Sequence, residues 1–553
     1  MAHDDRRATR RMRRSRVLMP AVAGMAVIAL AGCSGILSSN NGSDDSSNYK
    51  GITIASLRPH QTASLQAYYR QKLAWTPCDH GFLCATVKAP VDWQKVGTAS
   101  ISLALIKHPA TGTRIGDLVV NPGGPGGSGV DFVREGVDGV VDSTVARHYD
   151  VIGFDPRGVG ESAPVKCYDN PDEDKYLYGV DPAPIGSQTW ISNEEKKARD
   201  FAAACEKNTG PVLGHIDTIS AAEDLDLIRS ALGDTKLNYL GYSYGTYLGT
   251  IYAGLFPQNV GKMVLDGADD PWGSNYQPVP VDVPAEDYGV GPSDDSTVAQ
   301  AVGFEDALVA YLESCRSNVR ATVGVLRCPF VSTLANAKSR VEGFLTKADK
   351  HPLVAKDGRV LDAASLATAI DDALYDPGDW PDLTKMFAEV EDGDPTQAFA
   401  FADDYNDRNP DGTYDDNGDL AHLAIGCLEE GPSVDIPFDN REAKELRRVA
   451  PILGIYSAYG DLGCSGWEYG PTPFPNPPSA KGTGPILVLG TTGDPATPYA
   501  SAKDLAAQLE EGHLVTLNGQ GHTAYNRGDV CIDSTVDAYL LHGTVPAHDP
   551  DCS

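Results

Sequence analysis

The chain has 553 residues, 41% of them apolar, and carries 76 acidic against 45 basic side chains for a formal net charge of −31. That length supplies a large buried core and exceeds one minimal domain. So acidic a chain repels phosphate backbones, which argues against a DNA or RNA partner.

The N-terminus departs from this balance. Arg6, Arg7, Arg10, Arg11, Arg13, Arg14 and Arg16 precede an uncharged apolar run from Val17 to Ala31. The run is shorter than the roughly 20 residues that cross a bilayer, and basic-then-apolar order is the pattern of an export signal. It ends in Leu30-Ala31-Gly32-Cys33, which resembles the lipobox of bacterial lipoproteins, whose cysteine is diacylated and becomes the mature N-terminus. Residues 1–32 are therefore expected to be a lipoprotein signal peptide and Cys33 a lipidation site that anchors the chain to the outer face of the cell membrane. The Arg-Arg pairs leave twin-arginine export open beside the general route. Ser34 to Lys50, rich in Ser, Asn, Asp and Gly, buries too little to order itself, so residues 33–65 are expected to be a flexible tether.

Ten cysteines remain once Cys33 is assigned to lipid, and an even number in an exported chain suggests disulfides. Sequence neighbours suggest Cys78 with Cys84, Cys167 with Cys205, Cys315 with Cys328, Cys427 with Cys464, and Cys531 with Cys552. No Cys-x-x-Cys pair occurs, so zinc-site and thioredoxin-like readings are unsupported.

From about residue 100, short apolar runs alternate with amphipathic stretches, the βαβ pattern of a mostly parallel sheet covered by helices. Ile101–Lys107, Leu118–Asn121, Tyr149–Phe154, Leu237–Leu240, Met263–Leu265 and Ile486–Leu489 are predicted strands, and Ile219–Leu232 is a predicted helix. Each strand ends at residues suited to chemistry, where ligands bind in open α/β sheets. Between Asp269 and about Pro477 the pattern changes to Pro-rich connectors, Asp-rich turns and helices such as Val302–Ser317 and Ala364–Ala373. The expected organisation is a core over 66–270 and 477–553, interrupted by a cap over 271–476.

Asn238-Tyr239-Leu240-Gly241-Tyr242-Ser243-Tyr244-Gly245 is a strand running into Gly-x-Ser-x-Gly and then into a helix near Thr246. In such a nucleophile elbow the serine sits on a strained turn, small residues two positions either side avoid clashes, and the helix N-terminus favours developing negative charge. Asn121-Pro122-Gly123-Gly124-Pro125-Gly126-Gly127-Ser128-Gly129 follows another strand. A backbone stripped of side chains can turn N–H groups toward a ligand, so the Gly124 and Tyr244 N–H groups are expected to form an oxyanion hole. The loop lacks the Gly-Lys-Ser/Thr ending of a phosphate cradle.

Serine needs a base. His522, in Gln520-Gly521-His522-Thr523, and Asp494, in Gly493-Asp494-Pro495, follow Ser243 in the chain order of α/β-hydrolases. His522 is expected to take the serine proton while Asp494 fixes its tautomer, with Thr497 supporting the Asp494 turn. Asp266 after Met263–Leu265 is the rival acid, since some α/β-hydrolases place it one strand earlier. His108, His215, His422 and His513 have no matching acid turn and are read as surface or packing residues. Gly153 to Ser162 is read as a structural turn that Asp155 and Arg157 hold near the oxyanion site. Asp407-x-Asn409-x-Asp411-Gly412 begins like a calcium loop, but its twelfth position is Gly418 rather than Glu, so it is read as a solvated acidic turn.

The fold class is therefore α/β: an α/β-hydrolase fold with a mostly parallel central sheet and a large, mainly helical cap insertion, and no cofactor is implied. The segments Asn121–Gly129, Gly153–Ser162, Gly241–Gly249, Leu265–Gly267, Asp411–Tyr414, Ala424–Cys427 and Asp494–Pro498 together resemble the secreted tripeptidyl aminopeptidases of actinobacteria, relatives of proline iminopeptidases. The resemblance implies a serine exopeptidase that releases short N-terminal peptides, with a cap closing over its site and a carboxylate there to receive the substrate ammonium. Glu429 and Glu430 are the candidates; relatives commonly carry Asp where Glu429 stands. A carboxylesterase acting on small or envelope esters is the alternative, and a dead hydrolase fold a third reading. Ser243 at the elbow argues against epoxide hydrolases and dehalogenases, which need Asp there.

Overall fold

The computed structural model describes residues 62–78, 81–270, 296–317, 328–431, 434–470 and 478–553. The expected signal peptide, Cys33 and the tether as far as residue 61 lie outside the described residues, as does 271–295. Among the described residues no helix is long and apolar enough to cross a membrane.

Ten strands form one sheet: β1 (Thr76–Pro77), β2 (Leu83–Pro90), β3 (Ser100–His108), β4 (Gly116–Asn121), β5 (Tyr149–Phe154), β6 (Leu237–Tyr242), β7 (Val260–Asp266), β10 (Ile486–Gly493), β11 (Gly512–Gln520) and β12 (Asp551–Cys552). A separate hairpin, β8 (Leu353–Val354) with β9 (Val360–Leu361), lies between β7 and β10 in sequence. The sheet order is β1-β2-β3-β5-β4-β6-β7-β10-β11-β12. Pairing is parallel from β5 to β12 and antiparallel among β1, β2, β3 and β5. The edge strands β1 and β12 escape the sequence reading because two residues are too few to leave a periodic signal; β2 and β11, longer and inside the sheet, were not predicted either.

The central strands are buried on both faces, as a parallel sheet covered by helices requires. Along β6, Leu237 and Tyr239 join one apolar cluster and Leu240 and Tyr242 the other. The helix before β6 has chemical ends: Asp217 caps Thr218–Leu232 by accepting from Ser220 N at 2.8 Å, and Gly233 ends it in the left-handed region.

Between β7 and β10 the described chain is mainly helical: Ser296–Ser317, Leu334–Lys350, Ala363–Tyr375, Trp380–Glu391, Thr396–Tyr405, Gly418–Glu430 and Ile436–Val449. Tyr311, Phe330, Phe344 and Phe387 pack at its centre, Phe330 and Phe387 edge to face at 5.1 Å. Helices Asn170–Leu177 and Gln188–Thr209, which leave the sheet between β5 and β6, also pack against this region, with Phe201 stacked on Trp467. The sequence reading did not separate this excursion, since a helix after a strand is also what an uninterrupted βαβ unit shows. The five neighbour pairings of cysteine are all formed as disulfides among the described residues.

Arg157 is fully buried and grips Asp224 with two 2.7 Å bonds, while its remaining N–H groups donate to the carbonyls of Pro90, Val91 and His215. Every donor is used, so the structural reading of Arg157 stands.

Candidate active site

β6 enters a turn at Ser243, whose backbone is held at φ 54° and ψ −129°, and the helix Tyr244–Leu255 begins at the next residue. A non-glycine residue in that region is strained, and two close backbone approaches hold it there. A Cβ on Gly241 would lie 2.3 Å from Gly245 O, and one on Gly245 would lie 2.7 Å from Asn121 Oδ1. Ser243 N donates to Asp266 O at 2.9 Å, tying the elbow to the end of β7.

The glycine loop after β4 lies against this elbow. Gly123 has φ +99°, and a Cβ there would sit 2.9 Å from Ser243 Cβ and 3.1 Å from Tyr244 N. Tyr244 opens its helix, so its N–H has no carbonyl one turn earlier to bond. Asn121 Oδ1 accepts from Gly123 N at 3.0 Å and fixes the start of the loop. Its far end is fixed by Asp155, which accepts from Ser128 Oγ at 2.6 Å, Val130 N at 3.1 Å and Glu161 N at 2.8 Å. Burial pushes the Asp155 carboxyl up to about 6. Asp155 thus holds its own turn through Glu161 N, as expected, and also anchors the end of the glycine loop, which was not expected.

The loop also meets the helical insertion. A Cβ on Gly126 would lie 2.4 Å from Gly418 O, at the start of the helix Gly418–Glu430, and His422 Nδ1 lies 3.1 Å from Pro125 O. Burial lowers His422 to about 4, so it packs as a neutral ring.

His522 Nδ1 lies 2.9 and 3.0 Å from the two Asp494 oxygens. Both side chains are buried. Asp494 also accepts from Ala496 N, Thr497 N and Thr523 N at 2.9–3.1 Å and from Thr497 Oγ1 at 3.2 Å. Such a donor set holds both carboxylate oxygens in place and aims them at the imidazole. The Tyr375 ring packs edge-on to His522 at 5.5 Å, and Tyr375 O accepts from His522 N at 2.9 Å. Gly267 adjoins the imidazole: a Cβ there would lie 3.1 Å from His522 Cε1.

Asp266, the rival acid, instead accepts from Ala524 N at 2.9 Å and Tyr525 N at 2.8 Å. Burial raises it to about 6. It braces the loop that carries His522 and leaves the imidazole to Asp494.

Glu429 reaches the same centre from the insertion. Its Oε1 accepts from Thr218 N and Thr218 Oγ1, both at 2.6 Å, and Thr218 Oγ1 lies 2.7 Å from Tyr244 Oη. Burial, with the nearby Asp217 charge, pushes Glu429 up to about 7. Asp269 follows β7, receives the Asp270 field, and is raised to about 7, chiefly by burial. Both are tied to the first turn of the helix after Ser243: Glu429 through Thr218 to Tyr244 Oη, and Asp269 by its N–H, which donates to Thr246 Oγ1 at 2.8 Å. The Glu430 side chain lies outside the described residues. Thr218, Tyr375 and Asp269 were not singled out from sequence; only Thr218 left a signal, as the first residue after the capping Asp217.

Around Asp407, Asn409 and Asp411 the chain forms a turn closed by its own polar groups: Asp411 Oδ1 accepts from Thr413 N at 3.1 Å and Asn409 Nδ2 donates to Asp415 at 2.7 Å.

With this geometry in view, the chain matches the model of TAP-like proteins over residues 450–552 and that of the alpha/beta hydrolase fold over residues 118–297. It is 37% identical over 495 residues to serine protease Hip1 of Mycobacterium tuberculosis, covering 87% of this chain and 91% of the relative. It is 37% identical over 477 residues to carboxylesterase B of the same organism, covering 85% and 86%. It is 33% identical over 482 residues to tripeptidyl aminopeptidase of Streptomyces lividans, covering 85% and 83%.

Proposed function

This chain belongs to the TAP-like family of α/β-hydrolases that includes tripeptidyl aminopeptidases, and from that premise we propose that it is a serine exopeptidase releasing short peptides, tripeptides foremost, from free N-termini. The observation that carries the reading is Glu429: a carboxylate hydrogen-bonded to Thr218, which in turn meets the residue after the elbow serine. A partly buried carboxylate linked to the side chain of the residue after the nucleophile suits an incoming ammonium, whose charge offsets the cost of desolvating it.

In this reading Ser243 Oγ attacks the scissile carbonyl carbon as its proton passes to His522 Nε2, and Asp494 steadies the imidazolium through Nδ1. The tetrahedral oxyanion accepts from the Gly124 and Tyr244 N–H groups. The C–N bond then breaks, His522 delivers its proton to the leaving amine, and water releases the peptide from the Ser243 ester by the same steps in reverse order.

The test compares N-terminally free and N-blocked tripeptide anilides. Strong preference for the free amine is expected; equal cleavage of both would sink the exopeptidase reading. A second reading, hydrolysis of small esters, is favoured by the similarity to carboxylesterase B. It uses the same acyl-enzyme and is distinguished by rapid ester turnover with no amide cleavage.

We also infer export and lipid anchoring at Cys33, supported by the basic-apolar leader and by five disulfides, which persist in oxidising compartments. Labelling with a radioactive fatty acid in a bacterial host should be lost in Cys33→Ala; retained labelling would place the lipid elsewhere.

A further inference from the structure

A cavity of about 620 Å³ lies between the helical insertion and the β5–β6 excursion, where helices Ala363–Tyr375 and Gln188–Thr209 and the segment 447–463 face one another. Neither Ser243 nor His522 lines it. Tyr405 does, and the Tyr405 ring packs at 6.4 Å against Tyr375, which also packs at 5.5 Å against His522. Two packed tyrosines therefore link the lining of this cavity to the candidate catalytic histidine.

Its lining is unusual in what it leaves unsatisfied. Asp371 is 8% exposed and its Oδ1 has no hydrogen-bond partner among the described residues. Asn406 is 2% exposed, and its Oδ1 is likewise unpartnered among the described residues. Its amide orientation is fixed, because Nδ2 donates to Tyr178 Oη at 3.0 Å and to Ala402 O at 2.7 Å. Both orphaned atoms are acceptors, they belong to side chains that line one cavity, and buried polar groups are almost always paired.

The rest of the lining indicates the sign of the missing donor. Asp181, Glu194, Asp349 and Asp362 contribute carboxylates, while Lys197 and Arg447 are the lining cations. Trp190 and Tyr459, packed edge to face at 5.4 Å, add flat apolar surface. Donor-hungry oxygens, excess negative charge and aromatic faces together suit a cation on an apolar body.

We propose that this cavity is a second binding site, distinct from the Ser243 centre, for a small organic cation that donates from its ammonium or guanidinium group to Asp371 Oδ1 and Asn406 Oδ1. Burial and the Glu305 field raise the Asp371 carboxyl, so a cationic guest would also restore its ionised form. The proposal does not rest on the identity of the reaction at Ser243.

The test is calorimetric titration of the full chain, with Ser243 blocked by a fluorophosphonate, using tyramine as probe and 4-ethylphenol as its uncharged counterpart. Saturable one-to-one tyramine binding is expected, with 4-ethylphenol weaker by about tenfold or more, the scale of a lost charge-assisted hydrogen bond. Asp371→Asn should weaken tyramine by about tenfold. Thr368→Trp, at a partly exposed position of the lining, should fill the space and abolish binding. Circular dichroism establishes which variants are folded, and each is judged alone, so one misfolded variant leaves the other to decide. No saturable binding, equal binding of the phenol, or wild-type affinity in either folded variant overturns the proposal.

Discussion

Glu429 Oε1 accepts two hydrogen bonds from Thr218, one from its backbone and one from its hydroxyl, each 2.6 Å long. Through the Thr218 hydroxyl this carboxyl is linked to Tyr244, the residue whose backbone N–H faces the elbow. Burial raises the group to about 7, so it is mostly neutral below that pH and anionic above it. Attraction for a substrate ammonium should switch on as pH rises: KM for free tripeptide anilides is expected to fall through pH 7, with no such step in KM for neutral esters. Glu429→Gln should flatten the step and raise KM for free peptides by about tenfold while sparing ester kcat. An identical pH step for both substrate types would assign the titration to another group.

The two acids near His522 should separate in mutagenesis. Asp494→Asn removes the partner of Nδ1 and is expected to lower kcat on the order of 10⁴-fold. Asp266→Asn places an amide against the Ala524 and Tyr525 N–H groups and should chiefly destabilise, by about 1–3 kcal/mol. Steady-state kinetics beside urea unfolding distinguishes them; the reverse pattern would make Asp266 the orienting acid.

Ser243→Ala should abolish fluorophosphonate labelling and the activity that depends on it, leaving the unfolding free energy within about 0.5 kcal/mol of wild type, because alanine keeps the Cβ and with it the same backbone strain. Labelling followed by peptide mass mapping reads the outcome directly. A modified residue other than Ser243 would overturn the nucleophile assignment.

Gly123→Ala tests the glycine loop. Its methyl would meet Tyr242 O at 2.5 Å and Ser243 Cβ at 2.9 Å from a backbone at φ +99°, so the loop must move away from the elbow. A loss of about 10²–10³-fold in kcat with little change in KM is expected, the scale of one lost oxyanion donor. Unchanged kcat in a folded variant would remove this loop from the chemistry.

The Cys427–Cys464 disulfide fastens the helix that carries Glu429 to the segment Gly460–Cys464. Replacing both cysteines by serine should cost about 2–5 kcal/mol in urea unfolding. Because Glu429 follows two residues later, KM for free peptides should rise more than kcat falls.

What sequence could show was whatever is encoded locally. The elbow was legible because Gly241, Ser243 and Gly245 are required by clashes within one turn, and the loop Asn121–Gly129 because its glycines leave a compositional trace. Chain order made Asp494 and His522 candidates, but the choice between Asp494 and Asp266 was not local: both follow strands, and only the packing of β7 beside β10 sends one to the imidazole and the other to the Ala524 and Tyr525 N–H groups. The linkage of Glu429 to Tyr244 runs through Thr218, 211 residues earlier in the chain than Glu429. The cavity at Asp371 and Asn406 likewise joins helices from separate excursions. Steric demands within a few residues are written in composition and spacing, whereas contacts between distant segments depend on burial energies summed over the whole core, which no single window of sequence contains.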